Sequence, residues 1–175
     1  CSSIDEAAYL IKNLNDLNFY FIEEPVKRTI TSYKQLNKKI KKSIDDKFIK
    51  IAAGEHLYDQ KLLNFWIKSD IDILQPDSNL LLYDEIKSLN KSSQEKVFHN
   101  WCNIINNCSN ANFVRAQKEN IIMEFNLLKN PYNVFFENKC YKINNGKINF
   151  QNYEGMGVEF INRKNNSYYI YEKKI

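Results

Sequence analysis

Helical and extended apolar patterns alternate along the chain as far as residue 130, and this alternation restricts the fold more than any other feature. Residues 4–17 place Ala7, Ala8, Leu10, Ile11 and Leu14 at helical spacing, and "NFYFIE" follows as a short buried strand. "ITSYKQLNKKIKKSI" is amphipathic, with Ile30, Tyr33, Leu36, Ile40 and Ile44 along one side. "FIKIAAGE" is the next strand, its end marked by Gly54, and "DQKLLNFWIKS" is helical. "IDILQPD" is a strand stopped by Pro76. Residues 81–90 read as helix, "EKVFH" as strand, 101–118 as helix and "NIIMEF" as a fifth strand. Strands alternating with helices imply a parallel sheet covered by those helices, either doubly wound or closed as a barrel. From residue 131 the texture changes to short extended pieces with Asn-Asn-Gly and Gly-Met-Gly turns, so the chain divides into 1–130 and an extension, 131–175.

The strands share one further property. The first four end on Glu23, Glu55, Asp77 and His99, and the fifth carries Glu124. In parallel α/β folds the C-terminal strand ends form one rim, and that rim holds the active site. Single charges at strand ends are ordinary. Carboxylates gathered from four different strands repel one another unless a cation neutralises them, which predicts a metal site. In "FYFIEEPV" the alternation of a strand turns Glu23 to the same face as Phe21, into the mouth, and Glu24 to the helix layer, with Pro25 stopping the strand. The hard oxygens of Glu23 and Glu55 suit Mg²⁺, which takes a few carboxylates together with water and substrate. Three neighbours have two readings each. His56 is a ligand or is turned away from the mouth by alternation. Trp101 contacts substrate or, as an aromatic opening a helix, belongs to the core. Asp77 partners a histidine or caps a helix.

Bulk properties remove several classes of function. A chain of 175 residues is long enough for one domain with a sizeable core. The net charge of +4 comes from scattered lysines, and the one dense run, "KKIKK", lacks interleaved aromatics and reads as a solvated helix face, which argues against nucleic acid as partner. Cys1, Cys102, Cys108 and Cys140 contain no CxxC pair, and with two histidines a zinc site is not expected. A reduced, cytoplasmic compartment fits this usage. No apolar run approaches the ~18 residues of a membrane span, and the N-terminus reads as no signal peptide. The abundance of Asn reads as coding bias, which makes the Asn-x-Ser/Thr matches at Asn90, Asn107 and Asn165 chance products.

These motifs, in this order, resemble the enolase superfamily, in its mandelate racemase-like branch of acid-sugar dehydratases and racemases. "FIEEP" and "IAAGEH" resemble the strands carrying two metal ligands, here Glu23 and Glu55. "ILQPD" and "VFHNW" resemble the strands of a His–Asp dyad, here His99 and Asp77. "IIMEF" is similar to the last strand, whose Glu, here Glu124, hydrogen-bonds the intermediate. "YEGMGVEF" resembles the tail that returns to a capping domain. The resemblance implies the C-terminal five strands of a modified TIM barrel of the (β/α)7β type, lacking the capping domain and the first strands. It further implies that a first metal-ligand Asp lies just upstream of Cys1, with a Lys-x-Lys one strand earlier. The segment from Asp77 to His99 departs from the family by being short and lacking a Gly-Gly after the Asp.

The chemistry implied is Mg²⁺-dependent removal of the α-proton of a small carboxylate, most simply the dehydration of a sugar acid, with racemisation or epimerisation as the alternative within the superfamily. Glu23 and Glu55 hold the metal. His99, oriented by Asp77 through its second ring nitrogen, is base or acid, and Glu124 hydrogen-bonds the enediolate in its protonated form. The full-length parent is then a Mg²⁺-dependent lyase and a homo-oligomer. The rival class is a non-catalytic, truncated barrel remnant, and the chain by itself is expected to be inactive.

Overall fold

The computed structural model describes residues 3–43, 49–81, 83–89, 92–101, 103–116 and 121–161. Cys1, Cys102, Asn90, Asn165 and the tail from 162 onward lie outside the described residues.

The chain opens with α1 (Ile4–Leu14), whose first turn is closed by a capping box. Ser3 Oγ accepts from the Glu6 N–H, and the Glu6 carboxylate accepts from the Ser3 N–H. Ala7, Ala8 and Ile11 are buried where α1 packs on α2 (Ile30–Ser43), which contributes Tyr33, Leu36 and Ile40. Fully burying an Ile or Leu of this kind contributes roughly 1.5–3 kcal/mol. The lysines of "KKIKK" stand in solvent around buried Ile40, with Lys39 paired to Asp5, so this run is the solvated face expected of it.

Five strands follow the alternation: β1 (Phe21–Glu23), β2 (Lys50–Ala53), β3 (Ile73–Leu74), β4 (Glu95–Phe98) and β5 (Ile122–Met123). Three further helices lie between them, α3 (Gln60–Ile67), α4 (Tyr83–Leu89) and α5 (Ile104–Ala116). All neighbouring strands are parallel, and their spatial order is the sequence order β1-β2-β3-β4-β5. A doubly wound sheet reverses its order at a switch point; a sequential order without reversal is barrel wall. The expected choice between the two is therefore settled as part of a barrel.

Each strand divides its side chains between two environments. Ile51, Ala53, Leu74 and Phe98 face the helices and join the main core with Leu63 and Trp66 of α3, while Phe21, Ala52, Ile73 and Val97 form a separate cluster on the inner face. The strands are shorter than the apolar runs suggested.

After β5 the chain makes a 3-10 turn (Pro131–Phe135) and two antiparallel pairs. β6 (Phe136–Asn138) pairs with β9 (Val158–Phe160), and β7 (Tyr141–Asn144) pairs with β8 (Lys147–Phe150) across a turn at Asn145-Gly146. This extension docks on α5 through a buried cluster of Cys108, Ala111, Cys140 and Tyr141. Among the described residues no helix is long and apolar enough to cross a membrane.

Candidate active site at the strand rim

The backbone ladder runs on past the strands and sets the rim. The N–H of Glu24 donates to Ala52 O (2.9 Å), that of Gln75 to Ala53 O (3.0 Å), that of His99 to Pro76 O (2.9 Å) and that of Glu124 to Phe98 O (2.8 Å). Counting by alternation from Phe21, Ile73 and Val97 puts Glu23, Gln75 and His99 on the inner face. Glu55 reaches the same mouth by another route. Gly54 has φ +111, a conformation that favours glycine, and it breaks the alternation after β2.

Glu23, Glu55, His99 and Glu124 line one cavity of about 360 Å³. His99 Nε2 stands 3.5 Å from Glu55 Oε2 and 4.0 Å from Glu124 Oε2, so one imidazole nitrogen lies between two carboxylates from different strands. Glu124 is held from both sides: its Oε1 accepts from Gln75 Nε2 (3.0 Å) and its Oε2 from the Asn100 N–H (3.4 Å). Glu55 Oε1 accepts from Arg28 Nη2 (3.0 Å) and faces His56 Nε2 (3.1 Å). Arg28 also pairs with Glu24, the second carboxylate of "IEEP", which sits on the helix side as alternation predicts and has φ +40. Among the described residues Glu23 has no cationic partner of this kind. Partial burial, then the Glu124 and Glu55 carboxylates, push its pKa above the usual carboxylate value, against the opposing pull of His99 and a hydrogen bond from Gln75.

Asp77 and His99 line one cavity, with no hydrogen bond between them among the described residues. Asp77 lies three residues beyond β3, past Pro76, and its oxygens are already engaged. Oδ1 accepts from the N–H (2.9 Å) and Nδ2 (3.0 Å) of Asn79, and Oδ2 accepts from Asn106 Nδ2 (3.1 Å). His99 Nδ1 is buried with no hydrogen-bond partner among the described residues. The expected Asp77–His99 hydrogen bond is thus replaced by a turn-closing role for Asp77, close to its other reading as a cap. Of the two readings of Trp101 the core one fails: the residue is 74% exposed and lines the rim cavity.

Two features of the site escaped the sequence. Gln75, fully buried and on the inner face, ties Glu124 in place; a polar residue inside the apolar run "IDILQPD" was the available signal. The second is an asparagine network. α5 has no continuous apolar stripe, and beside Cys108 and Ala111 it buries Asn106, Asn107 and Asn110. Asn110 Nδ2 donates to His99 O (2.7 Å) and its Oδ1 accepts from the Ser78 N–H (3.0 Å). Asn106 Nδ2 reaches Asn100 Oδ1 (3.1 Å) as well as Asp77. Asn107 exchanges two hydrogen bonds with the backbone of Asn126. One helix face thereby fastens the loops after β3, β4 and β5, and with them the rim.

The donor chemistry fits a divalent cation in part. Glu23 and Glu55 turn hard oxygens to one cavity, and beside the burial that chiefly lifts the Glu23 pKa there is carboxylate repulsion of the kind a cation relieves. Among the described residues no three His, Cys, Asp or Glu side chains form a group able to hold a metal by themselves. The two glutamates are therefore members of a ligand set rather than a complete one.

A family model described as enolase C-terminal domain-like matches residues 2–164. No curated protein matches the chain. Several solved structures do. The 3,6-anhydro-D-galactonate cycloisomerase from Zobellia galactanivorans superposes with a TM-score of 0.75 at 22% identity, over 90% of this chain and 44% of that one. A mandelate racemase/muconate lactonizing protein from Geobacillus sp. Y412MC10, complexed with magnesium and tartrate, gives 0.73 at 19% identity over 92% and 42%. A mutant galacturonate dehydratase from Geobacillus sp., complexed with Mg, gives 0.69 at 18% identity over 91% and 41%. The chain thus spans less than half the length of each of these structures.

Proposed function

The chain belongs to the enolase C-terminal domain-like family, and from that premise we propose that its full-length parent removes the α-proton of a small carboxylate and dehydrates a sugar acid. The observation that carries this reading is His99 Nε2, set between Glu55 and Glu124 in the cavity that Glu23 also lines. Glu23 and Glu55 would hold Mg²⁺, which when bound lowers the cost of negative charge on the substrate carboxylate. The remaining work falls to the chain. His99 moves the proton, at the α-carbon or at the departing β-hydroxyl, and its backbone is fixed by Asn110 and the β3 ladder. Glu124, steadied by Gln75 and Asn100, hydrogen-bonds the developing enediolate. Asp77 is a positioning residue that acts through Asn106 and the loop. Residues 1–130 supply the barrel part, and 131–175 the extension that returns to a capping domain. Cys108 and Cys140, free and buried in one cluster, suit a reduced cytoplasmic setting.

The test is a pair of variants in the full-length protein. His99→Asn should abolish dehydration of a sugar-acid panel while calorimetry still detects Mg²⁺ binding. Glu55→Gln should weaken Mg²⁺ itself. Equal loss of metal binding in both overturns these roles.

A further inference from the structure

A single buried cysteine is a small apolar filler and calls for no further account. Cys108 and Cys140 differ, because two thiols meet in one cluster away from the rim. Cys108 lies in α5 and Cys140 between β6 and β7, and both are fully buried where the extension docks. Asn138 Oδ1 accepts from the Cys140 N–H (2.8 Å) and lies 3.6 Å from Cys108 Sγ. Gly157 touches both residues: its carbonyl O is 3.9 Å from Cys108 Sγ, and a Cβ on it would lie 2.8 Å from Cys140 Cβ. Burial, and then the adjacent Cys140 thiol in hydrogen-bonding contact, push the Cys108 thiol above its ordinary pKa. A charge on Cys108 is costly here, and a neutral disulfide carries none. Cys140 is covered by a side chain that itself reaches solvent. Its Sγ lies 3.2 Å from the hydroxyl of half-buried Tyr153, which Arg115 Nη1 (3.2 Å) and Asn112 Oδ1 hold in place.

We infer that Cys108 and Cys140 are a modification site, joined as a disulfide when the protein meets a peroxide, which cross-links α5 to the extension. Movement of Tyr153 opens Cys140 first. Cys140 Sγ attacks hydrogen peroxide, the O–O bond breaks, Cys140 becomes a sulfenic acid and one water leaves. Cys108 Sγ then attacks Cys140 Sγ, the S–O bond breaks, and the departing hydroxide takes the Cys108 proton as a second water. The two thiols give up two protons and two electrons, and the peroxide is reduced to two waters. The link falls between Asn107 and Asn110, the α5 side chains that hold Asn126, Ser78 and His99, so it fastens the extension to the helix that supports the rim. It stands independently of the proposed reaction.

The experiment treats the reduced full-length protein with hydrogen peroxide, blocks the remaining thiols with iodoacetamide and maps peptides by mass spectrometry without reduction. The Cys108 and Cys140 peptides should appear joined, two hydrogens lighter than their sum, and dithiothreitol should separate them. Dimedone, which traps sulfenic acids, should label Cys140 in Cys108→Ala and leave Cys108 unlabelled in Cys140→Ala. Tyr153→Ala should speed cross-linking by about tenfold, the scale of one hydrogen-bonded group lost from the cover. The cross-linked protein should melt about 3 °C or more above the reduced one. Peroxide that modifies other cysteines and leaves Cys108 and Cys140 unjoined overturns the inference, as does a link that forms only in urea-unfolded protein. Dimedone on Cys108 in place of Cys140 overturns the order of attack, and an unchanged melt overturns the fastening of the extension.

Discussion

Asp77→Asn separates a turn-closing carboxylate from a dyad partner. In the structure Asp77 Oδ1 accepts two hydrogen bonds from Asn79, and Oδ2 accepts one from Asn106 Nδ2. An amide has only one acceptor oxygen. If that oxygen stays with Asn79, the new NH₂ faces the NH₂ of Asn106, donor against donor. Asn106 cannot simply turn over, because the same Nδ2 donates to Asn100 Oδ1. Both residues are buried, at 6% and 5% exposure, so water does not repair the mismatch readily. Losing one hydrogen bond to a charged group costs roughly 1.5–3 kcal/mol. For a domain of this size a loss of about 2 kcal/mol lowers Tm by about 4–8 °C. Thermal and urea melts of wild type and variant read this directly. The ring ¹⁵N shifts of His99 supply the second readout. With Nδ1 unpartnered in the wild type, the variant should leave the Nδ1 resonance in place. A displaced Nδ1 resonance with unchanged stability would refute the reasoning and restore the dyad.

Three further outcomes follow from individual contacts. Glu23 has a folded pKa raised above its unfolded value, so the native state binds the extra proton and stability falls as pH rises from about 4.5 through the folded pKa. Glu23→Gln removes that fall, so its Tm should exceed that of wild type near pH 7 in metal-free buffer, and the gap should close toward pH 4; a gap that widens on acidification would contradict the sign. Gln75→Leu deletes a donor to Glu124 together with an amide oxygen that is buried without a partner, so stability should change by less than about 1 kcal/mol in a melt, while turnover of the full-length protein falls about tenfold. Gly157 has φ +75, and a Cβ there would lie 2.7 Å from the Tyr153 ring and 2.8 Å from Cys140 Cβ; Gly157→Ala should cost about 2 kcal/mol or more in urea unfolding.

What the sequence made legible was what periodicity and strand ends carry. The order of strands and helices, the solvated lysine run and the arrival of Glu23 and His99 at one mouth follow from patterns of two and of about 3.6 residues, whereas Glu55 arrives there through the break in alternation at Gly54. The partners of Asp77, Asn79 and Asn106, are set by the backbone after Pro76, which no periodicity encodes. α5 was harder still. Its buried residues mix Asn106, Asn107 and Asn110 with Cys108 and Ala111, so the apolar stripe that marks burial elsewhere is absent, and asparagines that looked compositional are fixed by partners on three loops. Trp101 had two readings from its sequence position, and its 74% exposure excludes the core one.

The charges of the rim are unevenly balanced, and the imbalance has a direction. Glu24, Glu55 and Glu124 each have donors assigned by the fold: Arg28 for the first two, with His56 beside Glu55, and Gln75 with Asn100 for the third. Glu23 is the one pushed above the ordinary carboxylate range, chiefly by burial and by its acidic neighbours. Arg28 and His56 also take Glu55 Oε1, which leaves Oε2 on the His99 side of the cleft. Glu55 can then offer a cation one oxygen rather than two. Mg²⁺ is satisfied by single oxygens in a tight octahedron, whereas Ca²⁺ gains from two-oxygen carboxylate binding in a larger shell. On the proposed reading of Glu55 as a metal ligand, Arg28 would therefore favour the smaller ion. Glu23, whose pKa burial and its acidic neighbours raise, would then have most to gain from that ion's charge.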